Sequence, residues 1–204
     1  MVQHIVSVSS SRQADSSTRY RIRAVQPQDL YDIAGILVDS FPLTPPFLPW
    51  LNPIIRMGIH EDLRGRMRAA APNYVCLVAI DTTQPVDRDS HLVGTVEIGT
   101  RTANPWQPNT NQYVYLSNLA VRQEARRQGI AQKLLQTCDQ YVAEWGFREI
   151  YLHVLETNEQ AKQLYFKAGY RIEEVQPSWN SFLFGQPKRL FLKKELRSAS
   201  DSTL

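Results

Sequence analysis

Two adjacent arginines and a glycine come just before a predicted amphipathic helix, in the segment VRQEARRQGIAQKLL at residues 121–135. The first N–H groups of a helix have no partner inside the helix, and they carry the positive end of its dipole. Gly129 allows a ligand to approach the backbone, and Arg126 and Arg127 supply donors that match phosphate oxygens. The segment therefore predicts an anion site that suits a pyrophosphate. A simple turn beside two surface arginines is the alternative that these residues leave open.

The same segment lacks the residues of two common phosphate-binding motifs. A P-loop requires a lysine followed by Ser or Thr after its second glycine, and a dinucleotide fingerprint requires G-x-G-x-x-G with an acidic residue about 20 positions later. Neither pattern is present in the sequence. Both motifs are therefore excluded as explanations of the arginines and the glycine.

Composition favours one globular domain, and its mild basicity suits an anionic ligand. The 204 residues are 43% hydrophobic, which is enough to fill a core, and the formal net charge is only +3. A nucleic-acid-binding protein would concentrate basic residues on one face, which so small a net charge does not suggest. The sequence also contains no run of about 18 apolar residues, the length that a membrane-spanning helix needs. We therefore expect no nucleic-acid partner and no membrane partner.

Cysteine usage and the first residues bear on location. Cys76 and Cys138 lie in apolar segments and have the spacing of neither a zinc site nor a disulfide framework, so a reducing, cytoplasmic location is expected. Residues 1–18 are rich in serine and poor in acidic side chains, and they predict a flexible tail. A transit segment for a plastid-type organelle is the alternative that this composition leaves open.

Hydrophobic periodicity predicts the element order β-α-α-β-β-β-α-β-α-β-β. The four helices are predicted near residues 29–41, 54–71, 128–145 and 158–168. The first helix is expected to bury Leu30, Ile33, Ala34, Leu37, Val38 and Phe41, and the third to bury Ile130, Leu134, Leu135, Cys138, Val142 and Trp145. Only the strand-helix-strand unit at 112–154 requires a parallel pairing, so the sheet should be mixed.

The segment RRQGIA at Arg126–Ala131 resembles the signature of the GNAT superfamily of acetyl-CoA-dependent N-acetyltransferases, which is Gln or Arg, two residues, Gly, one residue, then Gly or Ala. The resemblance extends through LSNLAVRQEARRQGIAQKLL and IYLHVLETNEQAKQLYFKAGY, and it is closest to protein N-terminal and lysine acetyltransferases. It implies one α/β (α+β) domain at 19–197 between flexible tails at 1–18 and 198–204. Its sheet would be mixed, mostly antiparallel and twisted, with about seven strands, helices on both faces and a V-shaped splay between the central parallel strands.

The resemblance implies acetyl-CoA as co-substrate and no metal. By analogy, the backbone of Leu119, Ala120 and Val121 pairs with the pantetheine arm, and N–H groups from Arg127 through Ala131 hold the pyrophosphate. Asn158 matches an asparagine that contacts the pantetheine arm, although a plain helix N-cap gives the same residue. The full set of implied cofactor residues is Leu119, Ala120, Val121, Arg126, Arg127, Gln128, Gly129, Ile130, Ala131, Gln132, Asn158, Ala161 and Tyr165.

Four residues match proton-transfer positions of the family. Tyr165 matches its general acid. A phenol suits this role, since it stays protonated at neutral pH and can donate to a departing thiolate. Tyr115 and His153 resemble the pair that deprotonates the amine in some protein N-terminal acetyltransferases, and they are ranked first as the base. Glu97 resembles the carboxylate base of lysine-directed relatives and is ranked second.

The implied activity is direct acetyl transfer to a primary amine, with a protein N-terminal α-amine first and lysine ε-amines second. A small-molecule amine acetyltransferase of the same fold and a non-catalytic acetyl-CoA-binding module are the alternatives. The acceptor should lie between the proline-rich loop FPLTPPFLPW and the later loop QPSWNSFLFGQPK, where Phe47, Trp50, Trp179, Phe182 and Phe184 could shape a peptide slot. The expected partners are acetyl-CoA and the amine acceptor, and the protein is expected to be a monomer or a homodimer.

Overall fold

The computed structural model describes residues 19–41, 49–69, 71–83, 91–102, 112–176 and 188–196. The strands are β1 (Tyr20–Ala24), β2 (Tyr74–Asp81), β3 (Leu92–Thr102), β4 (Gln112–Val121), β5 (Glu149–Leu155), β6 (Arg171–Gln176) and β7 (Arg189–Glu195). The helices are α1 (Leu30–Ser40), α2 (Asn52–Ala69), α3 (Ile130–Glu144) and α4 (Glu159–Lys167). This is the element order that the sequence predicts.

The seven strands form one sheet in the order β1-β2-β3-β4-β5-β7-β6. Every neighbouring pair is antiparallel except β4 and β5, which are parallel. Helix α3 makes the crossover between these two strands, as a parallel connection requires. The predicted mixed sheet is confirmed.

Side chains alternate between two hydrophobic cores, one on each face of the sheet. On β2, Leu77 and Ala79 pack into a core with residues of α3 and α4, whereas Cys76 and Val78 pack into a second core with residues of α1 and α2. We call these faces the α3/α4 face and the α1/α2 face. Helices therefore cover both faces, as predicted.

The central parallel strands separate soon after they meet. Strands β4 and β5 pair only at Val114 with Ile150 and at Tyr115 with Tyr151. Beyond these two positions the strands diverge, so backbone groups in the middle of the sheet are left without a ladder partner. This is the predicted V-shaped splay.

A β-bulge in β4 lies beside the splay. Thr95 pairs with Ala120 but Glu97 pairs with Ser117, so β4 has one more residue than β3 between these points. Asn118 lies in this interval and has a φ of 53°, in the left-handed region that few residues other than glycine adopt. An extra residue reverses the alternation of side chains along the strand.

The helix ends differ from the predictions by about two residues, and one predicted core residue is misplaced. Helix α2 runs over Asn52–Ala69 instead of 54–71, and α3 begins at Ile130 because Gly129, with a φ of 79°, is its N-cap. Phe41 was predicted on the buried face of the first helix, but it follows the end of α1 and is 37% exposed. Val38 and Trp145 are half-buried, not buried as predicted.

In the described part of the chain, no helix has the length and apolar character to cross a membrane.

Candidate active site

A cleft of about 530 Å³ opens between the end of β4, the turn before α3, and one side of α4. Eleven of the thirteen residues predicted to bind the cofactor line it, namely Leu119, Ala120, Val121, Arg126, Arg127, Gly129, Ala131, Gln132, Asn158, Ala161 and Tyr165. The other lining residues are Ser40, Phe41, Gln160, Gln163, Leu164 and Lys167. The structure thus brings together residues that are more than 40 positions apart in the chain.

The turn before α3 leaves the helix start open to the cleft. Arg127 and Gly129 both have positive φ angles, 63° and 79°, which curl the backbone into the helix. The N–H of Lys133 donates to the carbonyl of Gly129 at 3.0 Å, in the first turn of α3. The N–H groups ahead of Lys133 have no carbonyl before them to bind within the helix, so they can hold an anion. The side chain of Arg126 donates to the carbonyl of Val121 at 3.0 Å and links the turn to β4.

Two predicted residues face away from the cleft with their side chains. Ile130 is 1% exposed and belongs to the core on the α3/α4 face. The side chain of Gln128 accepts a hydrogen bond from the hydroxyl of Tyr20 and donates to the carbonyl of Glu124. The side chains of Gln128 and Ile130 thus hold the turn on the core, and only their backbone groups are available to a ligand.

Helix α4 forms the opposite wall of the cleft. The Asn158 side chain accepts a hydrogen bond from the N–H of Ala161 at 3.1 Å, so Asn158 is the N-cap of this helix and also lines the cleft. Gln160, Gln163 and Lys167 were missed by the sequence analysis. They recur at helical spacing from one another, at positions i, i+3 and i+7, and that periodicity is the signal that could have identified them.

Tyr165 of α4 is the buried phenol at this wall. It is 8% exposed, lines the cleft, and stacks edge-on against Tyr170 with ring centroids 5.5 Å apart. Burial raises the pKa of Tyr165 above its usual value of 10, and the nearby phenol of Tyr115 raises it further. The hydroxyl of Tyr165 is therefore protonated throughout the neutral range.

Tyr115 and His153 meet on the α1/α2 face, one on each arm of the splay. The hydroxyl of Tyr115 lies 2.8 Å from Nδ1 of His153, and Nε2 of His153 lies 3.0 Å from Oε1 of Gln176. The amide nitrogen of Gln176 donates to Glu174, which leaves its oxygen to accept from the Nε2–H of His153. In this arrangement Nδ1 is the unprotonated nitrogen and accepts from Tyr115. Gln176 was not identified from the sequence.

Positive charges surround this pair. The guanidinium carbon of Arg101 lies 3.5 Å from the centroid of the Tyr115 ring. Burial lowers the pKa of His153 below 6.5, and the charges of Arg189 and Arg101 lower it further. The hydrogen bond to Gln176 and the charge of Glu174 act in the opposite direction without reversing the shift. His153 is therefore neutral at pH 7 and able to accept a proton.

Glu97 lies on the same face but is enclosed. Its side chain is 2% exposed. One carboxylate oxygen accepts from Arg66 at 2.9 Å and from Tyr74 at 2.8 Å, and the other accepts from Asn118 at 2.5 Å. Glu97 is thus not a solvated surface residue, and an amine could reach it only by displacing one of these donors or by taking its last lone-pair position. Among the described residues, no group of three or more His, Cys, Asp or Glu could hold a metal ion.

Comparison with known proteins relates this arrangement to a family. A profile described as "Acetyltransferase (GNAT) family" matches residues 43–170. GCN5-related N-acetyltransferase 10, chloroplastic, from Arabidopsis thaliana is 34% identical over 125 residues, which are 59% of this chain and 49% of that protein. This chain therefore spans about half the length of that relative.

Solved structures share the fold at low sequence identity. Arabidopsis thaliana NAA60 with acetyl-CoA has a TM-score of 0.67 and 19% identity, and the alignment covers 88% of this chain and 99% of that chain. A chimera of spermidine N-acetyltransferase SpeG from Vibrio cholerae and hSSAT has a TM-score of 0.61 and 18% identity, covering 87% and 96%. Because the profile matches more than half of the chain, including the splayed strands and the open helix start, the chain belongs to the GNAT acetyltransferase family.

Proposed function

We propose that this chain is an acetyl-CoA-dependent N-acetyltransferase that moves an acetyl group directly to a primary amine, first a protein N-terminal α-amine and second a lysine ε-amine. One observation carries the proposal: the splay separates a cleft that contains Tyr165 from a hydrogen-bonded Tyr115–His153 pair on the other face of the sheet. One face can thus hold the acetyl donor while the other receives the amine. Family membership supports acetyl-CoA as the donor.

The open start of α3 would hold the pyrophosphate, and the unpaired edge of β4 would hold the pantetheine arm. In the first role, N–H groups from Arg127 through Ala131 face an anion beside two guanidinium groups. In the second role, the backbone of Leu119–Val121 would hydrogen-bond to the amides of the arm. The arm would then take the place of the missing strand partner. Asn158 and Ala161 line the opposite side of the same path.

The reaction requires one proton to leave nitrogen and one to reach sulfur. The amine nitrogen forms a bond to the thioester carbonyl carbon, and the carbon–sulfur bond then breaks. We assign the proton on nitrogen to Tyr115 and His153, directly or through one water, because Tyr115 already donates to the unprotonated Nδ1 of His153. We assign the proton for sulfur to Tyr165. Glu97 ranks behind His153 as the base because three donors occupy its carboxylate.

The protonation of the acceptor favours an α-amine. With pKa values of about 7.8 for an α-amine and 10.4 for lysine, roughly one α-amine in seven is neutral at pH 7, against about one lysine in 2,500. A neutral His153 can accept the proton of an α-amine, whose pKa lies close to that of an imidazole, but it is too weak a base to deprotonate lysine to the same extent. Lysine is therefore the second acceptor class.

The charge around the base argues against a polyamine acceptor. Arg101 and Arg189 both act on His153, and residues 42–48 and 177–187, in the loops expected to flank the acceptor, contain no Asp or Glu. Two positive charges against the single carboxylate of Glu174 near His153 would disfavour a polycation. Trp50 is 65% exposed, whereas Phe47, Trp179, Phe182 and Phe184 lie outside the described residues. A peptide with neutral or acidic side chains fits this surface best.

For location, we propose a reducing compartment. Cys76 and Cys138 are buried free thiols, and burial raises the pKa of the Cys76 thiol to about 12, so neither is poised for oxidation. The cytoplasm meets this condition, and so does the chloroplast named for the Arabidopsis thaliana relative.

The acceptor class is tested by rates with matched amines. Acetyl-CoA turnover at pH 7.5 is measured with peptides that have a free α-amine, with the same peptides blocked at the N-terminus but containing lysine, and with spermidine. Mass spectrometry locates each acetyl group. We expect the order α-amine, lysine, spermidine, and a faster rate with spermidine than with any peptide would contradict the proposed acceptor.

The cofactor anchor is tested at Gly129. Replacing Gly129 by Asp places a side chain and a negative charge beside the open helix start, so we expect at least a 10-fold weaker affinity for acetyl-CoA by calorimetry. Gly146→Asp is the matched control, because Gly146 has the same left-handed conformation, with φ of 80°, but follows the other end of α3. Equal losses in both variants would remove the pyrophosphate assignment.

The general acid is tested at Tyr165. Tyr165→Phe should lower kcat by roughly 100-fold, at the lower end of the range for general acids, and leave the Kd of acetyl-CoA near that of the wild type. Tyr170→Phe is the control, because it also removes a buried hydroxyl from the same ring pair and that hydroxyl has no hydrogen-bond partner within the described structure. A large loss of affinity with unchanged kcat in Tyr165→Phe would disprove its role as acid.

The base is tested by the pH dependence of a histidine variant. Since the pKa of His153 is lowered, the wild type keeps a neutral base below pH 6.5. His153→Ala should therefore lower kcat/KM far more at pH 7 than at pH 9, where most α-amines are already neutral. His91→Ala serves as a histidine control, because His91 precedes β3, lies two strands away from His153 in the sheet and is not among the residues that line the cleft. A loss from His153→Ala that is equal at both pH values would indicate a structural role instead.

A further inference from the structure

The buried carboxylate of Glu97 joins three parts of the structure around the β4 bulge. Its hydrogen bonds come from Arg66 on α2, from Tyr74 on β2 and from Asn118 in the bulge. We propose that Glu97 is a positioning residue that fixes this bulge, and with it the backbone that faces the thioester carbonyl. The inference rests on the proposed function only for the donor, acetyl-CoA, and not for the identity of the acceptor.

The bulge needs a specific side chain to be stable. Asn118 has a φ of 53°, and asparagine tolerates this region better than other non-glycine residues, although at some cost. The Nδ2 of Asn118 donates to Glu97 Oε1 at 2.5 Å, so the left-handed residue is tied to a fully buried group. Glu97 is in turn held by an ion pair with Arg66 and a hydrogen bond from Tyr74. The strained residue is thus fixed by contacts from outside its own strand.

The bulge decides which way the cleft-lining end of β4 faces. Before the bulge, Tyr115 lies on the α1/α2 face and Leu116 packs in the core of the α3/α4 face. After the bulge, Leu119 packs against that same core and Ala120 packs in the core of the α1/α2 face. With regular alternation from Leu116, Ala120 would have faced α3 and α4 and Leu119 the other side. One extra residue therefore sets the orientation of Leu119–Val121, which line the cleft.

This position gives Glu97 a role that differs from that of a base. A bulge leaves one residue outside the strand ladder, and at the splay no strand lies opposite to take its backbone groups. Its N–H groups can therefore point at the carbonyl oxygen on which negative charge develops during attack. Without the hydrogen bond from Asn118 to Glu97, the bulge would relax and these N–H groups would no longer point at the carbonyl oxygen. This change would weaken the polarisation of the thioester carbonyl, and it would not affect removal of the proton from the amine.

The test measures the polarisation of the thioester carbonyl directly. Acetyl-CoA labelled with ¹³C at the carbonyl is bound to the protein without acceptor, and the C=O stretch is recorded by isotope-edited infrared spectroscopy. In the wild type we expect the stretch to lie at lower frequency than in free acetyl-CoA. In Glu97→Gln and Asn118→Ala it should move back toward the free value, with a Kd for acetyl-CoA within about threefold of wild type.

Turnover with an amine acceptor gives the second readout. If the N–H groups no longer point at the carbonyl oxygen, kcat should fall by at least about 10-fold in both variants, equally at pH 7 and pH 9. Asn118→Gly removes the same hydrogen bond without touching the buried carboxylate and keeps the left-handed conformation accessible, so it covers the case in which Glu97→Gln does not fold. Its carbonyl stretch should shift in the same direction as that of Asn118→Ala, but by a smaller amount.

Glu149→Gln is the matched control, because Glu149 is also a strand carboxylate that accepts from a tyrosine, Tyr151 at 2.7 Å, and pairs with a cation, Lys193 at 2.7 Å. It should leave the stretch and kcat unchanged. An unshifted carbonyl stretch in folded Glu97 and Asn118 variants would overturn the inference. So would a kcat loss in Glu97→Gln that recovers at pH 9, which would make Glu97 the base. Failure of the acceptor assignment would leave the infrared result intact, so the two proposals fail separately.

Discussion

Strands β4 and β5 can hydrogen-bond to each other at only two positions, and the unpaired backbone beyond them lies in the centre of a sheet. Buried N–H and C=O groups without partners are costly, so a protein keeps such a gap only where something else fills it. A pantetheine arm carries amide groups at a suitable spacing to act as that missing strand. The cleft, the open helix start and the N-cap of α4 all border this gap, and their arrangement is explained by it.

The same gap lets proton chemistry occur on both faces of the sheet. Tyr165 reaches the gap from α4, and Tyr115 and His153 sit on the two arms on the other face. Burial shifts the pKa values in useful directions, since it keeps the phenol of Tyr165 protonated and the imidazole of His153 neutral. In the proposed reaction, an acid and a base are thus available at one pH, on opposite sides of the acetyl group. In the same proposal, Arg101 and Arg189 bias the choice of amine without taking part in proton transfer.

Much of this could be predicted from the sequence, because the relevant signals are local and periodic. Alternation and helical spacing identified every strand and helix, and the span from β4 to β5 required the one parallel pair. The motif at Arg126–Ala131 predicts an anion site, but a motif cannot say whether a side chain or the backbone would face the ligand, as Gln128 and Ile130 show. The bulge at Asn118 was missed because a left-handed residue inside a strand leaves no mark in a two-residue pattern. The enclosure of Glu97 depends on Arg66 and Tyr74, which only the tertiary fold brings near it.

The proposed reaction requires the donor and the acceptor to meet across the splay. A crystal structure with a bisubstrate analogue, in which CoA is joined through an acetyl bridge to the α-amine of a peptide, tests it most directly. We expect the pantetheine arm to lie along Leu119–Val121 and the peptide nitrogen to lie within one water of the Tyr115 hydroxyl. A peptide nitrogen beside Glu97, or an analogue bound outside the gap between β4 and β5, would contradict it.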